Sequence, residues 1–202
     1  MAIKIQNQNI ASILEEHERG FAATFVPEKI KLLEQISEQI AQAFQQGNKI
    51  LLCGNGGSAA DAQHIAAEFI GRFKRERKSL PAIALTTDSS VLTALANDFS
   101  YETVFSRQVE GLGTKGDILI AISTSGNSKN VIQAAEKAKE LGLIVIGFTG
   151  RTGGELKKHA HLNFSVACDE TPHIQEMHTT ALHAISEAVE QKIGRASCRE
   201  RE

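Results

Sequence analysis

The chain has 202 residues, 42% of them hydrophobic and 23% charged, with a formal net charge of −2; that suits one α/β domain with a full core and some additional helix. The near-neutral balance gives no electrostatic case for a nucleic-acid or membrane partner, and no apolar run reaches the roughly 18–20 residues of a membrane span. The N-terminal stretch MAIKIQNQNIASILEEHERG lacks a signal-peptide core, and Cys53, Cys168 and Cys198 have no CxxC spacing, so free thiols in a cytoplasmic protein are expected.

Residues 1–25 carry a weak amphipathic helical pattern, with Gly20 as an expected break. A second helix is signalled by Pro27 in its first turn, a stripe of Ile30, Leu33, Ile36, Ile40 and Phe44, and Gly47 at its end. These two helices, a helical extension over 1–47, need a further surface to pack on, either the sheet or another subunit, and are the expected assembly surface. From residue 49 the rhythm becomes strand then helix. Strands are predicted at 49–53, 81–85, 117–122, 143–148 and, alternating and at an edge, 162–167. Helices are predicted at 58–73, 90–95, 102–112, from 128 to 141, and at 173–193. This alternation predicts a parallel sheet covered on both faces, with ligands beyond the carboxyl ends of the strands. Residues 194–202 break the pattern and read as a non-native tail on a single domain spanning 1–193.

Two loops sit at such strand ends. The turn 54–58 (GNGGS) leads directly into a helix, whose N-terminal amides and dipole suit an anion. The same turn fits a dinucleotide fingerprint, Gly54-x-Gly56-x-x-Ala59, with Asp88 near the end of the second strand. The loop 123–128 (STSGNS) offers the hydroxyls of Ser123, Thr124, Ser125 and Ser128, either as helix caps or as neutral phosphate donors. His64 and Glu68 share a helix face at i,i+4, a surface pair or a metal and proton-transfer pair. In the closing helix Gln175 and His183 lie about 80° apart, able to address one side. His173 and His178 are left without an assigned role. Asn97 and Asp98 are a cap or sugar-hydroxyl partners. The basic run 72–78 reads as a solvated loop or, second, as the lining of an anion site.

The segments CGNGGSAADAQHIAAE, ANDF, AISTSGNSKNVIQA and HIQEMH together resemble the SIS (sugar isomerase) domain family, nearest its phosphoheptose isomerase branch, over roughly residues 25–193. The resemblance implies a flavodoxin-like three-layer α/β sandwich with a five-stranded parallel sheet. It implies a homotetramer with sites at subunit interfaces, and isomerisation of D-sedoheptulose 7-phosphate to D-glycero-D-manno-heptose 7-phosphate through an enediol. That reaction opens the synthesis of ADP-heptose and lipopolysaccharide-core precursors. It implies phosphate on Ser123, Thr124, Ser125 and Ser128, and sugar near Asn55, Gly56, Gly57, Asn97 and Asp98, with Glu68 and Gln175 also reaching substrate. It implies one Zn2+ per subunit on His64, Glu68, Gln175 and His183, with Glu68 and His183 as the base and acid. The alternative is a non-catalytic branch that binds the bacterial replication initiator. The presence of Glu68 and His183 favours the enzyme. Thr171-Pro172-His173 departs from the acidic residue and Arg that some isomerases carry there.

Overall fold

The computed structural model describes residues 9–199. Five strands form one all-parallel sheet in the order β2-β1-β3-β4-β5: β1 (Ile50–Cys53), β2 (Ala82–Ala84), β3 (Ile118–Ser123), β4 (Ile144–Thr149) and β5 (Leu162–Ser165). β5 is an edge strand, as its alternation predicts. The helices are α1 (Ile10–Thr24), α2 (Pro27–Gln45), α3 (Gly57–Ile70), α4 (Ser89–Asp98), α5 (Ser106–Leu112), α6 (Lys129–Glu140), α7 (Leu156–His159) and α8 (Thr171–Arg199). None among the described residues is long and apolar enough to cross a membrane.

The period of two along each strand sorts its side chains onto two faces. Ile50, Leu52, Ile118, Ile120, Ile122, Ile146, Phe148 and Phe164 meet α2, α3 and α8 in one core. Leu51, Cys53, Leu119, Ala121 and Val145 meet α5 and α6 in the other. Burial on both faces is why these strands read as unbroken apolar runs.

Strand order reverses at β1, since β2 lies on one side of it and β3 on the other. The chain therefore leaves β1 and β3 in opposite directions around the sheet, and a crevice opens between their carboxyl ends. The loops 54–56 and 124–128 flank that crevice.

Several expectations are corrected. α1 runs through Gly20 without a break. Gly20 is buried against the Cys168 thiol, and an added Cβ would collide with it, so glycine serves close packing there. The predicted helix 102–112 is a 3-10 turn, Tyr101–Thr103, followed by α5. α7 follows Gly153 and Gly154, both at positive φ, in a stretch for which no element is predicted. α2 is not left for a partner, because Leu33, Ile36, Ile40 and Phe44 are buried in this chain's own core. α1 keeps Ile10, Leu14 and Phe21 exposed. α8 continues past residue 193 to Arg199; the rest of the stretch read as a tail, 200–202, lies outside the described residues. Cys53 and Cys168 are free thiols, and burial pushes Cys53 up to about 12, so it is no nucleophile at neutral pH.

The closing helix carries a buried histidine. His178 packs edge-on against Phe148, and its Nε2 lies 3.1 Å from the Thr149 carbonyl oxygen. The ring is neutral, so Nε2–H donates. Burial lowers its pKa from 6.5 to about 4, only partly offset by that hydrogen bond. A base depressed in the fold takes up its proton first in the unfolded chain. Stability therefore falls as pH drops from about 6.5 to about 4, by on the order of 3 kcal/mol in all. Denaturant titrations at pH 7 and pH 4.5 should show a loss that shrinks in His178→Gln.

Candidate active site

Two loops and two helices build the site. After β1 the chain turns sharply at Gly56, at φ 55°, a conformation glycine adopts without strain, and enters α3 at Gly57. After β3 it enters α6 at Lys129, with Ser128 as the N-cap. An amide pair locks the two loops together. Asn55 Nδ2 donates to Asn130 Oδ1 at 2.9 Å, and Asn130 Nδ2 donates back to Asn55 Oδ1 at 2.8 Å. The Tyr101 hydroxyl is a second donor to Asn55 Oδ1, at 3.1 Å.

Between the loops lies a cavity of about 250 Å3, lined by Asn55, Gly56, Gly57, Ser58, Ile122, Ser123, Thr124, Ser128, Thr171 and Gln175. Ser123 Oγ and Ser128 Oγ lie 2.9 Å apart. These hydroxyls stand at the N-terminal end of α6, where unpaired amides and the helix dipole favour an anion.

α3 and α8 run side by side in the same direction, and their side chains meet as three rungs. At the first, Gly57 faces the Gln175 amide so closely that a Cβ would collide with it. At the second, the Thr179 hydroxyl donates to Asp61 Oδ1 at 2.7 Å. At the third, His183 Nε2 lies 3.0 Å from His64 Nε2, and His64 Nε2 lies 3.1 Å from Glu68 Oε1. The spacing explains the ladder: 57, 61, 64 and 68 fall on one face of α3, and 175, 179 and 183 recur every four residues on α8. The donor atoms of His64, Glu68 and His183 all lie within 4.8 Å of one another.

The third rung is shielded by the segment after α3. The carboxylate of Glu190, almost fully buried, accepts the backbone N–H groups of Phe73, Lys74 and Arg75 at 2.9–3.1 Å, and the Arg77 guanidinium at 2.9 Å. Burial alone would raise its pKa. The three backbone donors and the Arg77 charge outweigh that and hold it below the usual carboxylate range. So tethered, the loop lays Phe73 on the His183 ring, with centroids 5.4 Å apart and 26° between planes. Arg77 also donates to the carbonyl oxygens of Glu68 and Phe69. It is neither solvated nor free to meet an anionic ligand, as the basic run had suggested.

Asn55, Gly56, Gly57, Ser123, Thr124, Ser128 and Gln175 thus converge on one cavity, and His64, Glu68 and His183 on one cluster along the same helix pair. Gln175 lines the cavity, with its amide against Gly57. Three expected residues lie outside the cavity wall. The Ser125 hydroxyl turns to accept the Asn127 N–H at 3.1 Å. Asn97 and Asp98 end α4, exposed, with Asn97 Nδ2 donating to Asp98 Oδ1 at 2.8 Å. Asp88, the acid that the dinucleotide reading required, caps α4 by accepting the Val91 N–H at 2.9 Å.

Sequence reasoning missed Asn130, Asp61 and Thr179. Asp61 lies three residues before His64 on the same α3 face, which was the available signal. Its Oδ2 is buried without a hydrogen-bond partner. Burial raises its pKa, opposed by the Thr179 hydrogen bond and by the charges of His64 and His183.

Gly57 offers a direct check. Its replacement by Ala displaces only the flexible end of Gln175, so the melting temperature should barely change. The displaced amide should lower kcat/KM roughly ten- to a hundredfold, the scale of a small misplacement in a site.

The SIS domain family model matches residues 17–150, and the chain belongs to that family. Within it, the chain is 53% identical over 182 residues to a phosphoheptose isomerase of Desulfovibrio desulfuricans, covering 89% of this chain and 87% of that protein. A phosphoheptose isomerase of Aquifex aeolicus is 59% identical over 154 residues, covering 76% of this chain and 81% of that protein. The solved phosphoheptose isomerase of Neisseria gonorrhoeae superposes with a TM-score of 0.83 at 42% identity, covering 90% of this chain and 97% of that one. That of Francisella tularensis superposes at 0.86 and 34% identity, covering 90% and 96%.

Proposed function

We propose that this chain is a phosphoheptose isomerase, converting D-sedoheptulose 7-phosphate to D-glycero-D-manno-heptose 7-phosphate. Relatives of that name at 53% and 59% identity support it, and they do not favour the initiator-binding alternative. The observation that carries the reading is one pair of parallel helices bearing an anion-suited cavity at one end and a His–Glu–His cluster further along.

In this reading Ser123, Thr124, Ser128 and the first amides of α6 hold the phosphate. Ser125 joins them: its hydroxyl accepts from the Asn127 N–H, keeps its own proton to donate, and lies 3.5 Å from Ser123 Oγ. The sugar runs past Asn55, Gly56 and Gly57 toward the third rung. Gly57 and His64 are seven residues apart, about 10 Å along α3 and on nearly the same face. Asn97 and Asp98 reach the sugar only through a rearrangement of α4 or from another subunit. Isomerisation moves one proton from C1 to C2 and one from the C1 hydroxyl to the C2 oxygen. Glu68, its side chain 24% exposed, takes the C1 proton, exchanges it with solvent and delivers a proton to C2 of the enediol; His183 serves the two oxygens as acid and base. Phe73 keeps water from one face of the His183 ring.

His64, Glu68 and His183 suit a zinc ion. Two imidazole nitrogens 3.0 Å apart and a carboxylate oxygen 3.1 Å from one of them approach the roughly 3.4 Å that separates ligands on a tetrahedral ion with bonds near 2.1 Å. Gln175 would complete the set. When bound, zinc supplies Lewis-acid polarisation of the carbonyl oxygen. Glu68 would serve both as a ligand to the ion and as the base at C1.

The protein acts in the cytoplasm as a homotetramer, with the exposed apolar residues of α1 in its contacts; light scattering at working concentration tests the assembly. The activity itself is tested by incubating the purified protein with sedoheptulose 7-phosphate and watching for the aldose by NMR. Turnover should fall to background after chelation and return with added zinc. Full activity in protein shown to be metal-free would remove zinc from the account. Absence of turnover in zinc-loaded protein would remove the isomerase.

A further inference from the structure

α8 presents a second donor group on its side toward α1. His17 Nδ1, on α1, lies 2.5 Å from Glu176 Oε2, and His173 Nδ1 lies 3.3 Å from the same oxygen. The two rings meet edge-on with centroids 5.7 Å apart. The three donor atoms lie within 4.8 Å of one another, and among the described residues His64, Glu68 and His183 are the only other such group. The two groups are distinct. Glu176 precedes His183 by seven residues, about 10 Å along the helix, and His17 belongs to an element that takes no part in the first cluster.

The donor types select a ligand. Two imidazole nitrogens with one carboxylate oxygen suit zinc and its transition-metal neighbours, whereas magnesium and calcium call for oxygen donors throughout. The surroundings suit an ion with open positions. His173 borders a polar cleft of about 400 Å3, lined also by Arg19, Arg151, Asp169 and Glu170, with room for the water that would complete the coordination. Hydrogen bonds alone explain the convergence less well. His17 and Glu176 are 35% and 53% exposed, and exposed pairs of this kind contribute little net energy to hold two helices together.

We propose that His17, His173 and Glu176 form a second divalent-metal site, of zinc type, which ties α1 to the first turns of α8. His173 and Glu176 bracket Gln175 in the chain, so this ion also fixes the helical turn that carries Gln175 into the cavity wall. The site does not depend on the isomerase reading, since its donors are separate from those of the proposed reaction.

The test counts zinc. Wild-type protein, His17→Gln, Glu176→Gln and His64→Gln are each loaded with excess zinc, desalted, and assayed by mass spectrometry for zinc per chain. Circular dichroism confirms that each is folded. His17→Gln and Glu176→Gln should each bind one zinc fewer than wild type, and zinc should raise their melting temperatures less. His64→Gln should retain the ion at His17. Equal counts in wild type and both α1–α8 variants would overturn the site and leave a hydrogen-bonded cluster. So would the loss of all zinc in His64→Gln. Two different α1–α8 variants guard against the misfolding of one.

Discussion

Replacing Glu68 by Gln should lower turnover roughly 100-fold or more while leaving the fold and the affinity for phosphate intact. The size is that of a lost general base. The substitution is nearly isosteric and keeps an oxygen facing His64, so the third rung persists. It removes the negative charge and with it the ability to take a proton from carbon. The hydroxyls and amides of the phosphate cavity belong to the 123–128 loop and α6, beside the start of α3 about three turns before Glu68, and are untouched, so KM should move little while kcat falls. Steady-state kinetics separates the two parameters. A near-wild-type kcat in Glu68→Gln would take the base role from this residue.

The largest effect on stability is expected at Glu190. Its carboxylate is almost completely buried and accepts from three successive backbone amides and from Arg77. Glu190→Ala strands all four donors, including a guanidinium with only 10% of its side chain exposed. Removing one partner of such a buried pair costs about 3–5 kcal/mol, which in a chain of this size lowers the melting temperature by about 10 °C. The loop 71–78 would also release Phe73 from His183, so activity should fall further than the melting curve alone implies. A drop of less than about 2 °C by circular dichroism would show that the loop finds other partners. Acid should act in the same direction. The folded-state pKa is depressed, so the stabilisation is present above the usual carboxylate range and is lost as pH falls below it. Asp117 behaves alike. Burial would raise it, but the N–H and ammonium of Lys49 and the N–H and hydroxyl of Thr114 hold it low.

The sheet was legible because strands buried on both faces are apolar throughout, and because the 54–58 turn and the 123–128 loop both follow such runs. The parallel sheet follows from the alternation of strand and helix; its flavodoxin-like order is what the family resemblance implies and is the order observed. What escaped depends on contacts between distant parts of the chain. Gly20 reads as a break until Cys168 is seen against it. Arg77 reads as one charge of a basic run until Glu190, 113 residues later, is brought beneath it. The rungs of α3 and α8 are the clearest case. Spacing within each helix puts 64 with 68, and 175 with 183, on usable faces. It does not show that the two helices run parallel, so that Gly57, Asp61 and His64 meet Gln175, Thr179 and His183 in turn. Asp61 and Thr179 therefore drew no notice, although they form the middle rung between the cavity and the cluster.

The central claim is that one substrate spans this ladder and is isomerised by proton transfer through an enediol. It is tested most directly by incubating the zinc-loaded protein with sedoheptulose 7-phosphate in D2O and following C2 of the aldose product by NMR. The account predicts aldose carrying solvent deuterium at C2, formed by the wild type and at least about 100-fold more slowly by Glu68→Gln. No aldose, or aldose with no deuterium at C2, would contradict it.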